Sequence, residues 1–260
     1  MARRLAGSSI STYLMGVQFH ANIRGYHLQI SSFSTLHYLL RGIRRIQGLL
    51  GQRRPPRDPI TWPHIIQLAD FVYHRFCKYD SNMLTTAFLV AFFGLLRCSE
   101  YTSPRRNSFS PDTSLLRSDI SIRNNIICLC IKASKTDPFR KGYTIRIGTT
   151  NSATLCPVSF MRRLLHDHPQ PSGPLFTFHN GTYLTRAYLS DLLQLCFPEL
   201  NLNTHSFRIG GASTAASIGL PDSAIRLLGR WSSDAYLRYI RLPDDVVSGL
   251  TAQLAGSSST

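Results

Sequence analysis

NTHSFRIGGASTAASIGLPDSAIRLLGRWSSDAYLRYIRL, residues 203–242, sets His205 three positions before Arg208, then Trp231, then Tyr239. Residues at i and i+3 are neighbours on a helix, so the imidazole and the guanidinium are predicted to share one face. Asn203 and Thr204 are good N-cap residues, which puts His205 in the first turn, where free N–H groups and the dipole attract anions. Further on, Tyr239 is predicted to lie in a helix flanked by Arg238 and Arg241. Gly210 and Gly211 read as a point of close helix packing.

This residue set suits chemistry at a phosphodiester. Guanidinium groups hold non-bridging phosphate oxygens through paired N–H donors, and a pentavalent transition state gathers charge on those oxygens. A phenol with pKa ~10 needs positive charge or a base beside it to act as nucleophile near neutrality. His205 would serve as that base or as a hydrogen-bond donor. Tyr236, three residues earlier, is the rival nucleophile. Each residue also has a plain structural reading: a core tyrosine, a satisfied histidine, an arginine in an ion pair.

Two upstream strings extend the pattern. GLLRCSE (94–100) holds Arg97 and Glu100 at i, i+3, an ion-pair spacing that would also let Glu100 orient Arg97. IKASKTDPFRKG (131–142) follows a predicted strand and carries Lys132, Lys135 and Lys141. These four strings, in this order, resemble the tyrosine recombinases, also called the phage integrase superfamily. The HSFRIGGA and LGRW…YIR strings are most similar to the recombinases of eukaryotic mobile elements, DIRS-like retrotransposons and cryptons.

The resemblance implies a set of roles. Tyr239 would be the nucleophile, forming a 3′-phosphotyrosyl link and releasing a 5′-hydroxyl, so that strands rejoin without ATP, metal or any other cofactor. Arg97 and Arg208 would clamp the phosphate, with His205 beside them and Lys135 as the acid on the leaving oxygen. Lys132 and Lys141 compete with Lys135. Trp231 stands where the family has histidine or tryptophan, although its eight-residue spacing to Tyr239 is one short and Arg230 would restore nine. An indole N–H only donates, so Trp231 would bond phosphate or buttress Tyr239 without moving protons. Partners would be double-stranded DNA and further copies of the chain assembled on it.

Composition agrees with a polyanionic partner. The 260 residues carry a formal charge of +15 at 43% apolar content, which fits a globular nucleic-acid binder. Residues 1–59 hold nine arginines and one acid, and Arg41, Arg44, Arg45, Arg53 and Arg54 among them are candidate DNA contacts. No eighteen-residue apolar run and no secretory leader are seen, so a membrane is not an expected partner. Six scattered cysteines fit neither zinc spacing nor a disulfide framework and read as reduced, mostly buried residues of an intracellular chain, nuclear in a eukaryote.

Organisation follows from periodicity. Residues 1–51 read as two helices, 12–24 (capped by Ser9 or Ser11) and 35–50, forming a short helical DNA-binding domain. The resemblance makes it part of a domain of roughly a hundred residues. GQRRPPRDP (51–59) marks a linker, taken as 52–59. Residues 60–245 read as an α+β catalytic domain: helices at 60–79 and 81–96, a small antiparallel sheet from 120–123, 126–131 and 143–147, then helices at 157–166, 182–195 and from 204. Residues 246–260 are a Ser-rich tail. Two other functions fit the same residues: a mobile-element relic that binds DNA without cutting, and a type IB topoisomerase-like relaxase.

Overall fold

A computed structural model describes residues 5–51, 55–134, 137, 139–152, 154–167, 172–242, 244 and 246–249. The chain divides into two compact units, 1–56 and 57–260. It is mixed α+β, mostly helical, with one three-stranded antiparallel sheet.

The first unit holds α1 (Gly7–Ile23), a 3-10 turn (Ile30–Ser32) and α2 (Ser34–Leu49). Neither Ser9 nor Ser11 caps α1. Its N-cap is Ala6, and the Ser11 hydroxyl bonds back to the Gly7 carbonyl at 3.1 Å. Polar contacts tie the unit together: Arg44 Nη2 donates to Ser11 Oγ (2.8 Å), and Gln47 Oε1 accepts from the Gly7 amide (2.9 Å). Tyr13, Val17 and Phe19 of α1 are exposed. Within this unit two helices and a turn supply no third layer to cover them.

The second unit is built around α4 (Lys78–Phe93), on which α3 (Trp62–Arg75), α6 (Pro157–Asp167) and α8 (Ser206–Ser217) pack. Every residue of α4 from Ser81 to Phe92 is buried, and a helix apolar on all sides belongs at a domain centre. Phe88 stacks on Phe207 of α8 with centroids 5.7 Å apart. The expected 60–79 helix is shorter at both ends: Thr61 caps α3 with Pro63 in its first turn, and the chain breaks at Phe76 before Cys77 caps α4.

Strands β1 (Ile120–Arg123), β2 (Ile126–Ile131) and β3 (Tyr143–Ile147) lie where the alternation placed them. Ile127, Leu129 and Ile131 face inward opposite Ile147, Ile145 and Tyr143. Asn124 and Asn125 both have positive φ, as a two-residue hairpin turn requires. Between α4 and the sheet sits α5 (Cys98–Tyr101); after α6 come α7 (Arg186–Cys196), α8, α9 (Asp222–Gly229) and a 3-10 turn (Asp234–Arg238). α7 begins four residues later than the 182–195 reading because Thr185, not Thr182, caps it. All six cysteines are free, but only Cys156 is buried, since Cys130 points to the outer face of the sheet and Cys77 sits on a helix end. No helix among the described residues is long and apolar enough to cross a membrane.

Helix α8 meets its neighbours backbone to backbone. A methyl group at Gly210 would stand 1.7 Å from the Ile60 carbonyl oxygen, and one at Gly211 would stand 2.6 Å from that of Phe92. The Ile60 amide also donates to the Ser206 carbonyl at 3.0 Å. Gly210→Ala is therefore expected to destabilise the second unit by about 3 kcal/mol, the upper end for overpacking, because no flexible side chain is there to yield. Thermal melts of the variant would show it, and a melting temperature equal to wild type would refute this packing.

Candidate active site

The site forms where the start of α5, the start of α8 and the chain after α9 converge. Arg97 and Glu100 do not share a helix face as expected. Arg97 is the N-cap of α5, with extended φ and ψ, and Glu100 is its third residue. Glu100 Oε2 accepts from the Arg97 amide at 2.9 Å, and Oε1 accepts from Arg97 Nη1 at 3.0 Å. The i, i+3 spacing makes the contact in both geometries, but here it fixes the arginine's backbone as well as its side chain.

Glu100 gathers three further donors: Ser134 Oγ (3.1 Å), the Tyr143 hydroxyl (2.7 Å) and Arg230 Nη2 (3.0 Å). Its side chain is fully buried. Burial pushes its carboxyl pKa up, but Arg230, the Arg97 amide, Tyr143 and the Arg97 side chain outweigh that and hold it below the ordinary value. Glu100 thus joins the α5 cap, the β2–β3 hairpin and the end of α9.

Arg230 reaches this cluster by an unusual route. It terminates α9 in the left-handed conformation (φ 57°, ψ 44°), where glycine is the common choice. The strain, about 1 kcal/mol for a non-glycine residue, is offset by what the side chain does. It donates to the carbonyls of Gly94 (2.9 Å) and Leu95 (3.1 Å) as well as to Glu100, and its guanidinium lies 4.9 Å from the Tyr143 ring. Leu95 is itself left-handed (φ 44°), which turns its carbonyl toward both Arg230 and Arg208.

Arg208 is completely buried. Nη1 donates to the Leu95 carbonyl and Nη2 to that of Gly229 (2.5 Å), while Nε has no partner among the described residues. The guanidinium lies 4.3 Å from the Trp231 ring and 5.5 Å from the Tyr239 ring. Burial, then Arg97 and Arg230, lower its pKa to about 10, against the opposing pull of Glu100 and Tyr239. It remains a cation at neutral pH.

Tyr239 is not inside a helix. It is the residue that ends the 3-10 turn, held by its amide on the Tyr236 carbonyl (2.8 Å) and by Ser213 Oγ on its own carbonyl (3.2 Å). Its ring is 5.0 Å from those of both His205 and Trp231. Tyr236 instead packs into a small core with Ala215 and Ile225, on the other side of Trp231 (6.3 Å). Trp231 can fold back this way because residue 229 is glycine: a methyl there would stand 1.7 Å from the indole.

His205 is itself the N-cap of α8, one residue beyond the expected caps, and its amide donates to Asn203 Oδ1 at 2.8 Å. Burial first, then Arg208, Arg97 and Arg186, hold its pKa below the ordinary imidazole value, so the ring is neutral at pH 7. Lys135 lies outside the described residues. Lys132 is engaged by Asp119 at 2.8 Å. The adjoining Ser134 accepts from Arg97 Nη1 at 2.9 Å, so the hairpin touches the cluster.

Tyr239, His205 and Arg97 line a cleft of 1360 Å³. Its wall also carries Arg57, Arg105, Arg106 and Arg186, with Asp191 as its one acid among the described residues. Sequence reading did not find these four arginines, which are dispersed along the chain and carry no motif. In the first unit, Arg41, Arg44 and Arg45 line a separate shallow hollow on α2, whereas Arg53 and Arg54 lie outside the described residues. No three His, Cys, Asp or Glu side chains gather as a metal-ligand set among the described residues.

No protein-family model matches this sequence, and no curated protein matches it. Solved structures do. The Tn1549 transposon integrase in complex with circular-intermediate DNA superposes with a TM-score of 0.62 at 15% identity, over 97% of this chain and 81% of that one. XerA recombinase gives 0.54 at 15%, over 97% and 85%. The XerH site-specific recombinase bound to its difH substrate gives 0.52 at 13%, over 76% of this chain. The match spans about half the length of the XerH chains, 55% and 52% in two complexes. The likeness shows the fold: this α+β chain has that of tyrosine recombinase catalytic domains.

Proposed function

We propose that the chain is a DNA strand transferase of the tyrosine recombinase type, breaking and rejoining strands through a covalent phosphotyrosyl intermediate. The observation that carries this is the grouping of Tyr239, a neutral His205 and Arg97 at one cleft, with Arg208 buried beside the Tyr239 ring, in a fold shared with DNA-bound recombinases. Tyr239 Oη attacks phosphorus, the P–O5′ bond breaks, and a 3′-phosphotyrosyl ester forms. His205 takes the phenolic proton, a role its depressed pKa supports because the ring is free to accept. The leaving 5′-oxygen takes a proton from a general acid, for which Lys135 is the proposed residue. Attack by a 5′-hydroxyl reverses each step and rejoins a strand.

Arg97 and Arg208 stabilise charge on the equatorial oxygens. In the free chain Arg208 has no exposed surface and lies under the Trp231 and Tyr239 rings. Engaging phosphate therefore requires those rings to swing aside, which also frees Tyr239 to approach phosphorus. Exchange between duplexes needs further copies of the chain on DNA. The HSFRIGGA and LGRW strings favour a mobile element as its origin.

The test is trapping on nicked duplexes randomised in sequence around the nick. Cleavage beside a nick releases a short 5′-hydroxyl fragment that diffuses away, leaving protein on DNA. A denaturing gel should show an adduct, and peptide mapping should place the phosphate on Tyr239. Salt-sensitive binding with no adduct on any duplex would replace this proposal with a binder that does not cut.

A further inference from the structure

The cleft is larger and more basic than one reacting phosphate requires. Arg105 and Arg106 follow α5, Arg186 opens α7, and Arg57 precedes α3, yet all four reach one wall. The segments carrying Arg105, Arg106 and Arg186 are fastened to each other. The Ser103 amide donates to the Leu184 carbonyl (2.8 Å), the Tyr183 amide donates to the Arg106 carbonyl (2.8 Å), and Ser103 bridges Thr185 in parallel. Arg105, Arg106 and Arg186 are exposed and form no ion pair among the described residues. Arg57 donates to a neutral partner, Asn201 Oδ1, and has no ion pair among the described residues.

Like charges held together by main-chain bonds repel, and among the described residues Asp191 is the one acid that lines this wall. A cleft lined by one sign of charge concentrates ions of the other sign. The remaining lining is rich in hydroxyl-bearing residues, among them Ser99 and Ser114, with few of the large aliphatic side chains typical of a small-molecule pocket. Arginines and hydroxyls are the groups that contact phosphate oxygens along a nucleic-acid backbone.

We infer that Arg105, Arg106 and Arg186, with Arg57, form a second phosphate-binding surface. It holds the DNA backbone beside the phosphate at which Tyr239 reacts. This rests on the reading of the site given above and extends it to the flanking strand. It positions substrate and takes no part in the bond change.

The test uses the full chain and a fluorescein-labelled DNA duplex of arbitrary sequence, with anisotropy measured across a salt series. Each lost phosphate contact lowers the slope of log K against log salt by about 0.9. The triple variant Arg105→Gln, Arg106→Gln, Arg186→Gln should therefore lose about 3 from the slope. Arg123→Gln, Arg146→Gln, Arg162→Gln removes the same charge from the sheet and α6, and should lose far less. Single variants of each arginine stand in if the triple variant melts early. Equal losses in both triple variants, or no loss in the first, would overturn the inference, as would a loss on duplex RNA with none on DNA. An adduct on Tyr239 with an unchanged slope removes only this surface; an altered slope with no adduct removes only the strand-transfer reading.

Discussion

Tyr239→Phe is expected to form no covalent adduct with DNA, at wild-type affinity and wild-type thermal stability. The substitution removes one oxygen that no group bonds among the described residues, and it leaves the ring to pack on His205 and Trp231 at 5.0 Å. Nothing structural is lost, so the whole effect falls on the nucleophile. Tyr236→Phe should do the opposite. Its ring is 3% exposed in the small core with Ala215 and Ile225, and its hydroxyl pairs with Asp222, so losing that hydroxyl lowers stability slightly while the packing stays. The adduct persists. Both variants run on one denaturing gel beside their melting curves decide the matter: an adduct that survives Tyr239→Phe and disappears with Tyr236→Phe would exchange the two roles.

Glu100→Ala should be the most damaging single change to the second unit. The carboxylate is buried and bonded to five donors on three segments, and its removal leaves two arginines with 17% and 16% exposed side chains facing a void. Removing one partner of such a group costs about 3–5 kcal/mol, which in a chain of this size lowers the melting temperature by about 6–20 °C. Strand cleavage measured below that temperature should fall about 10²–10³-fold, because Arg97 loses the partner that aims it.

The same group sets an acid limit. Its folded pKa lies below the 4.5 of a free glutamate, so its contribution is complete above that value and is lost as pH falls through the lowered folded pKa. Melting temperatures of wild type and Glu100→Ala should therefore converge in strong acid. Curves that stay parallel from neutrality downward would show that Glu100 is not held as a carboxylate.

What the sequence made legible is what local spacing encodes. The strands were readable because Ile127, Leu129 and Ile131 alternate with outward positions. His205, Arg208 and Tyr239, which the fold brings side by side, could be singled out because the proposed chemistry restricts residue types. The secondary structure around them was not readable. Tyr239 ends a 3-10 turn, since Ser213 draws its carbonyl out of helical register, and Arg97 caps a helix because Glu100 folds back on its amide. The choice between Arg230 and Trp231 was closed to sequence for another reason. Arg230 bonds carbonyls more than 130 residues away, while Trp231 owes its position to a missing methyl at Gly229. The cleft arginines lie further still from legibility: backbone pairing between the 103–106 and 183–185 segments brings them together, and no side-chain pattern records it.

The two arginines proposed to clamp phosphate lean on different kinds of support, and this divides how the site tolerates inherited variation. Arg97 is aimed by Glu100 and Ser134, side chains that a single codon change can erase. Arg208 is aimed by the carbonyls of Leu95 and Gly229, which every residue type supplies. Drift at neighbouring positions can therefore disarm the first arginine in one step. The hydrogen bonds of the second are lost only through changes that re-route the main chain itself.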